Sequence, residues 1–101
     1  MSILDEAAVL IYGDREKTYG HPARNLEKIA QQWRLFILQK YNVDVDLDAE
    51  DVCYMMADLK KVRQMHDHKH DNLVDGVGYL ALVERVYDSK FKEAGADPST
   101  A

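Results

Sequence analysis

Apolar residues recur at intervals of three and four along most of this chain, which predicts helices rather than strands. Ser2 can cap a first, short helix that runs to about Tyr12 and carries Ile3, Ala7, Leu10 and Ile11 on one face. Gly13 ends it. The stretch GDREKTYGHP holds two glycines and a proline and reads as a loop. Pro22 can open a second helix, over about residues 22–40, with the stripe Leu26, Ile29, Ala30, Trp33 and Ile37. The segment YNVDVDLD breaks the pattern. Its alternation is strand-like, but it is short and alone, so it reads as a connection. Asp48 then offers an N-cap, with Asp51 three residues on. A third helix follows over about 49–66, with the stripe Val52, Met55, Met56, Leu59, Val62 and Met65. HDHKHD is a turn. A fourth helix spans about 71–93, with Leu73, Val77, Leu80, Ala81, Glu84 and Tyr87 along one side. The expected fold is all-α, a small bundle of three long helices plus a short N-terminal one. It forms a single domain over 1–93, and the small, polar residues 94–101 form a disordered tail.

Composition narrows the class. A chain of 101 residues can bury only a small core, and oligomerisation is a common way to bury more, so a homo-oligomer is expected. The net charge of −5 argues against direct nucleic-acid binding, which needs a basic footprint. A local basic pocket for a phosphorylated small molecule remains compatible with it. The single cysteine, Cys53, forms no intrachain disulfide and fits a reducing compartment. No apolar run approaches membrane-spanning length, and the acidic N-terminus lacks the basic start of a signal peptide. The expected location is the cytoplasm.

Several polar residues stand out. Asp71 and Asp75 lie four apart on one helix face, Asn72 stands beside the first, and Gly76 and Gly78 follow in a helix that glycine weakens. With Asp51 and Asp58, seven apart on the third helix, these acids can supply oxygens to a hard cation such as Mg2+. The simpler reading gives Asp71 to the helix dipole, Asp75 to a cation and Asp51 to a cap. Lys60 and Arg63 face one way and suit phosphate, or else form a solvated face. The loop before Pro22 carries Arg15, Tyr19 and His21 just ahead of a helix N-terminus, where anions bind well. His66, His68 and His70 read as a solvated turn rather than a zinc site, because no cysteine pair or HExxH motif accompanies them. Met55, Met56, Trp33 and Cys53 read as core.

YGDREKTYGHPARN and DNLVDGVGYLALVERV, with Trp33, Val52, Lys60 and Arg63 between them, resemble a small family of unknown function found mainly in phages. The match runs over roughly residues 3–86. More distantly, the last helix resembles the second acidic helix of MazG-like all-α nucleoside triphosphate pyrophosphohydrolases. Asp75 takes the position of that motif's Asp, Asn72 stands where it has Glu, and Tyr54 occupies the position three after Asp51. The resemblance implies a MazG-like helix arrangement and a nucleotide ligand. It also implies Mg2+ held by Asp51, Asp58, Asp71 and Asp75, with Asp75 and Asp71 as the catalytic pair. Arg15, Tyr19, His21, Lys60, Arg63, Asn72 and Tyr79 become the ligand-binding set. Two alternatives stand beside hydrolysis. One is a binding protein that sequesters a nucleotide or cyclic nucleotide signal, and the other is a structural or protein-interaction bundle.

Overall fold

The computed structural model describes residues 2–12 and 21–93, with side chains to residue 89. Four helices follow in order, α1 (Ile3–Tyr12), α2 (Pro22–Tyr41), α3 (Ala49–His66) and α4 (His70–Glu93), and the described residues contain no strand. Arg15, Tyr19 and the tail 94–101 lie outside the described residues.

The first three helices start where a side chain satisfies a free amide. Ser2 Oγ accepts from Asp5 N at 3.1 Å, while the Asp5 carboxylate takes the Ser2 hydroxyl at 2.8 Å. Pro22 occupies the first turn of α2, where its missing N–H costs nothing. At α3, Asp48 and Asp51 exchange reciprocal bonds of 3.0 Å, a full capping box. The α2 helix ends at Asn42, whose φ of 55° is the left-handed conformation asparagine tolerates best after glycine. Residues 42–48 form the expected irregular connection, anchored by Arg34, which donates to the Leu47 carbonyl at 3.0 Å.

The α3–α4 hairpin is the spine of the molecule. α1 packs on α4, and α2 lies mainly on α3 with a smaller contact to α4. The core joins Leu26 and Ala30 of α2 to Ala49, Val52 and Cys53 of α3 and Val86 of α4, with Trp33, Met56, Leu82 and Val83 packed around them. α1 contributes buried Ala7 and Ile11. Arg85 of α4 donates to the Ile11 carbonyl at 2.7 Å and lies over the Tyr12 ring, closing the end of α1. Glu6 meets His70 at the other end of that contact.

Two of the expected apolar stripes face outward over most of their length. On α3, Val52 is buried and Met56 packs on the core as expected, but Met55, Leu59, Val62 and Met65 are exposed, and the buried row runs through Ala49, Val52, Cys53 and Ala57. On α4, Leu73, Leu80 and Tyr87 are exposed, while Val74, Gly78 and Val86 are buried. The reason is steric. Small side chains let helix axes approach closely, so the faces with Ala, Cys, Gly and Val won the intrachain contacts. A periodicity count weights large residues and so selects the opposite faces. The α2 stripe is placed largely as expected, with Leu26 and Ala30 buried and Trp33 packed on the core, while Ile29 is exposed.

Candidate functional site: the seam between α3 and α4

Cys53, Met56, Lys60 and Arg63 step along α3 at three, four and three, so Lys60 and Arg63 extend the row that Cys53 buries. Opposite them, Asn72, Asp75 and Tyr79 share the α4 face that ends in buried Val86. Lys60 Nζ and Asp75 Oδ2 meet at 3.0 Å, with the lysine side chain only 16% exposed and the aspartate 34%. A pair so placed is screened less than a surface one. Arg63, one turn further along α3, has no ion pair or side-chain hydrogen bond among the described residues, and the same is true of the Asp71, Asn72 and Tyr79 side chains. The seam thus holds one committed cation–carboxylate pair bordered by uncommitted polar groups.

The other expected site residues lie elsewhere. The Asp51 carboxylate is engaged in the capping box. It precedes Lys60 by nine residues, about 13 Å along the helix axis and half a turn around it. Asp58 is exposed and pairs with Lys61 at 3.8 Å. Two residues from Lys60, it points away from α4. Metal–oxygen bonds are about 2 Å long, so the structure does not bring Asp51 and Asp58 to the same ion as Asp71 and Asp75. No group of three or more metal-ligating side chains gathers among the described residues. His21 is the N-cap of α2, where its Nδ1 accepts from Ala23 N at 3.1 Å and leaves Nε2 to carry the proton. Sequence reasoning missed the Glu6–His70 contact. No local pattern could reveal it, because its partners stand 64 residues apart.

The glycines do less than their spacing suggested. A Cβ at Gly76 would sit 3.6 Å from Lys60 Cβ, ordinary contact, and one at Gly78 would meet nothing within 4 Å. Gly78→Ala is therefore expected to stabilise the fold by about 0.5–1 kcal/mol through helix propensity, read as a rise of a few degrees in Tm. A lower Tm would mean that something fills this space in solution.

Cys53 is fully buried, and desolvation, with Glu50 and Asp48 adding repulsion, pushes its thiol from 9.0 up to about 11. The folded state holds its proton more tightly than the unfolded state does. The resulting stabilisation is complete below pH 9 and is lost as pH rises from about 9 to 11, roughly 2–3 kcal/mol in all. Urea titrations across that range are expected to show this loss, and Cys53→Ser to flatten it. An equally steep loss in the serine variant would assign it to other groups.

The described residues define an all-helical fold in which a partly buried ion pair joins two long helices. Residues 2–87 match the model of a domain of unknown function, DUF6378, and the chain belongs to that family. It is 34% identical over 87 residues to the Gene 55 protein of Mycobacterium phage D29, covering 86% of this chain and 54% of that protein. It is 38% identical over 87 residues to the Gene 55 protein of Mycobacterium phage L5, covering 85% and 53%. The chain thus spans about half the length of these phage relatives. No solved structure matches it significantly. Among the described residues no helix is long and apolar enough to cross a membrane.

Proposed function

We propose that this protein binds a nucleotide, or another phosphorylated small molecule, at the α3–α4 seam, and that it holds the ligand rather than cleaving it. The observation that carries the reading is the half-buried Lys60–Asp75 pair beside Arg63, which has no partner of its own among the described residues. A phosphate can accept from the Arg63 guanidinium in bidentate fashion and compete with Asp75 for Lys60. Asn72 and Tyr79, on the facing helix, offer hydrogen bonds and a ring to the remainder of the ligand. Capture is favoured over hydrolysis because the four-carboxylate set does not converge. Hydrolysis in the MazG-like manner would need only Asp71 and Asp75 from this wall, since Mg2+ takes most of its ligands from phosphates and water.

A panel of linear and cyclic nucleotides, screened by calorimetry and product analysis with and without Mg2+, tests this. Heat of binding with the ligand recovered intact supports capture. Mg2+-dependent release of pyrophosphate replaces capture by hydrolysis. No signal across the panel removes the nucleotide reading and leaves a structural or protein-interaction bundle.

A further inference from the structure

Lys60 and Arg63 stand three apart on α3, so their side chains leave one face with Cβ atoms about 5–6 Å apart. One phosphoryl group can touch both. The two cations are not equally available. Arg63 is exposed and has no ion pair or side-chain hydrogen bond among the described residues. Lys60 is already held, with its Nζ 3.0 Å from Asp75 Oδ2. The helices run close at this point, since a Cβ at Gly76 would stand 3.6 Å from Lys60 Cβ. Asp71, exposed and four residues before Asp75 on the same face of α4, adds negative charge beside the pair.

Oxygens and charges then separate the ligands. A guanidinium fork takes two phosphate oxygens. A phosphodiester has two non-bridging oxygens and one negative charge, so Arg63 alone satisfies it. Drawing Lys60 away as well would leave Asp75, only 34% exposed, without its cation. A terminal phosphoryl group has three such oxygens and a charge of about −1.5 to −2 near pH 7. After Arg63 has taken its share, a third oxygen and the remaining charge are left for Lys60. A doubly charged phosphate can therefore take the lysine from Asp75, and a singly charged one cannot.

We infer that the seam selects ligands that end in a phosphomonoester over cyclic or other diester ligands. Asp75 sets that choice as a built-in competitor for Lys60, a contact that a bound phosphate must break. The inference depends on the seam binding a phosphorylated ligand.

Calorimetry on the full chain, with the linear and the cyclic monophosphate of each common ribonucleoside, tests it. Mg2+ is left out, because a cation on the phosphate would neutralise the charge that Lys60 reads. The linear form of the preferred nucleoside is expected to bind at least about tenfold tighter than its cyclic form, the effect of one charge-assisted hydrogen bond. Asp75→Asn frees Lys60 and keeps a side chain of the same size. It is expected to tighten the linear ligand by at least about threefold, with the helical spectrum unchanged. Equal affinity for the two forms in the wild type, or tighter binding of the cyclic one, would overturn the selection while leaving the seam a nucleotide site. Unchanged or weaker binding of the linear form by folded Asp75→Asn would overturn the competition and place the Asp75 carboxylate on the ligand or outside the site. No binding of either form by the wild type would remove the nucleotide reading and this inference with it.

Discussion

Val52→Asp is expected to leave the chain unfolded at 25 °C, whereas Met55→Asp, less than one turn along the same helix, leaves it folded. Val52 is fully buried between Leu26 and Ala30 of α2 and Val86 of α4. The core cluster around it consists of apolar side chains, so a carboxylate placed there would be desolvated without compensation. Such a charge costs several kcal/mol. A domain of this size has about 5–15 kcal/mol of total stability, and a small core puts it toward the lower end. Met55 is 43% exposed, and an acid there meets water, which limits the cost to about 1 kcal/mol. Far-UV circular dichroism and urea melts of the two variants decide between the faces. The opposite order of stabilities would put the large methionine and leucine face of α3 inside and the small-residue face outside.

Lys60→Glu is expected to act on both ligand affinity and stability, and the two effects can be separated. Loss of a charge-assisted contact to phosphate is worth about 1.5–3 kcal/mol, at least a tenfold rise in Kd for whichever nucleotide the panel identifies. The same substitution sets a second carboxylate beside Asp75. With the two side chains 16% and 34% exposed, water screens only part of that repulsion, and the expected loss of stability is about 1–3 kcal/mol. Adding Asp75→Lys restores the pair in reverse and should recover most of the stability. It should not recover affinity, because the cation then stands on α4 rather than on α3 beside Arg63. Calorimetry and urea melts on the single and double variants give both readouts. Unchanged affinity in Lys60→Glu would remove the seam from the ligand site, and recovery of affinity along with stability would reduce the pair to a structural role.

The helices themselves were legible in the sequence because their signals are local. The Ser2–Asp5 and Asp48–Asp51 spacings, Pro22 and the three-and-four recurrence of apolar residues act within a turn or two. Helix limits agree with the reading to within a residue, and the all-α class follows from them. The sequence also placed Lys60 and Arg63 on one face of α3, and Asp71 and Asp75 on one face of α4, since faces follow from spacing alone.

Which face turns inward was settled only by the tertiary structure. α3 and α4 each carry two apolar faces, one of small residues and one of large. Propensity and periodicity are the same whichever of the two is buried. Packing chose the small-residue faces because they allow three helices to close on Val52, Cys53 and Val86. That choice brought Lys60 to Asp75 and carried Asp51 and Asp58 away from them. The acidic cluster and the burial of Met55 and Met65 were therefore local possibilities that the packing of one helix on another did not select.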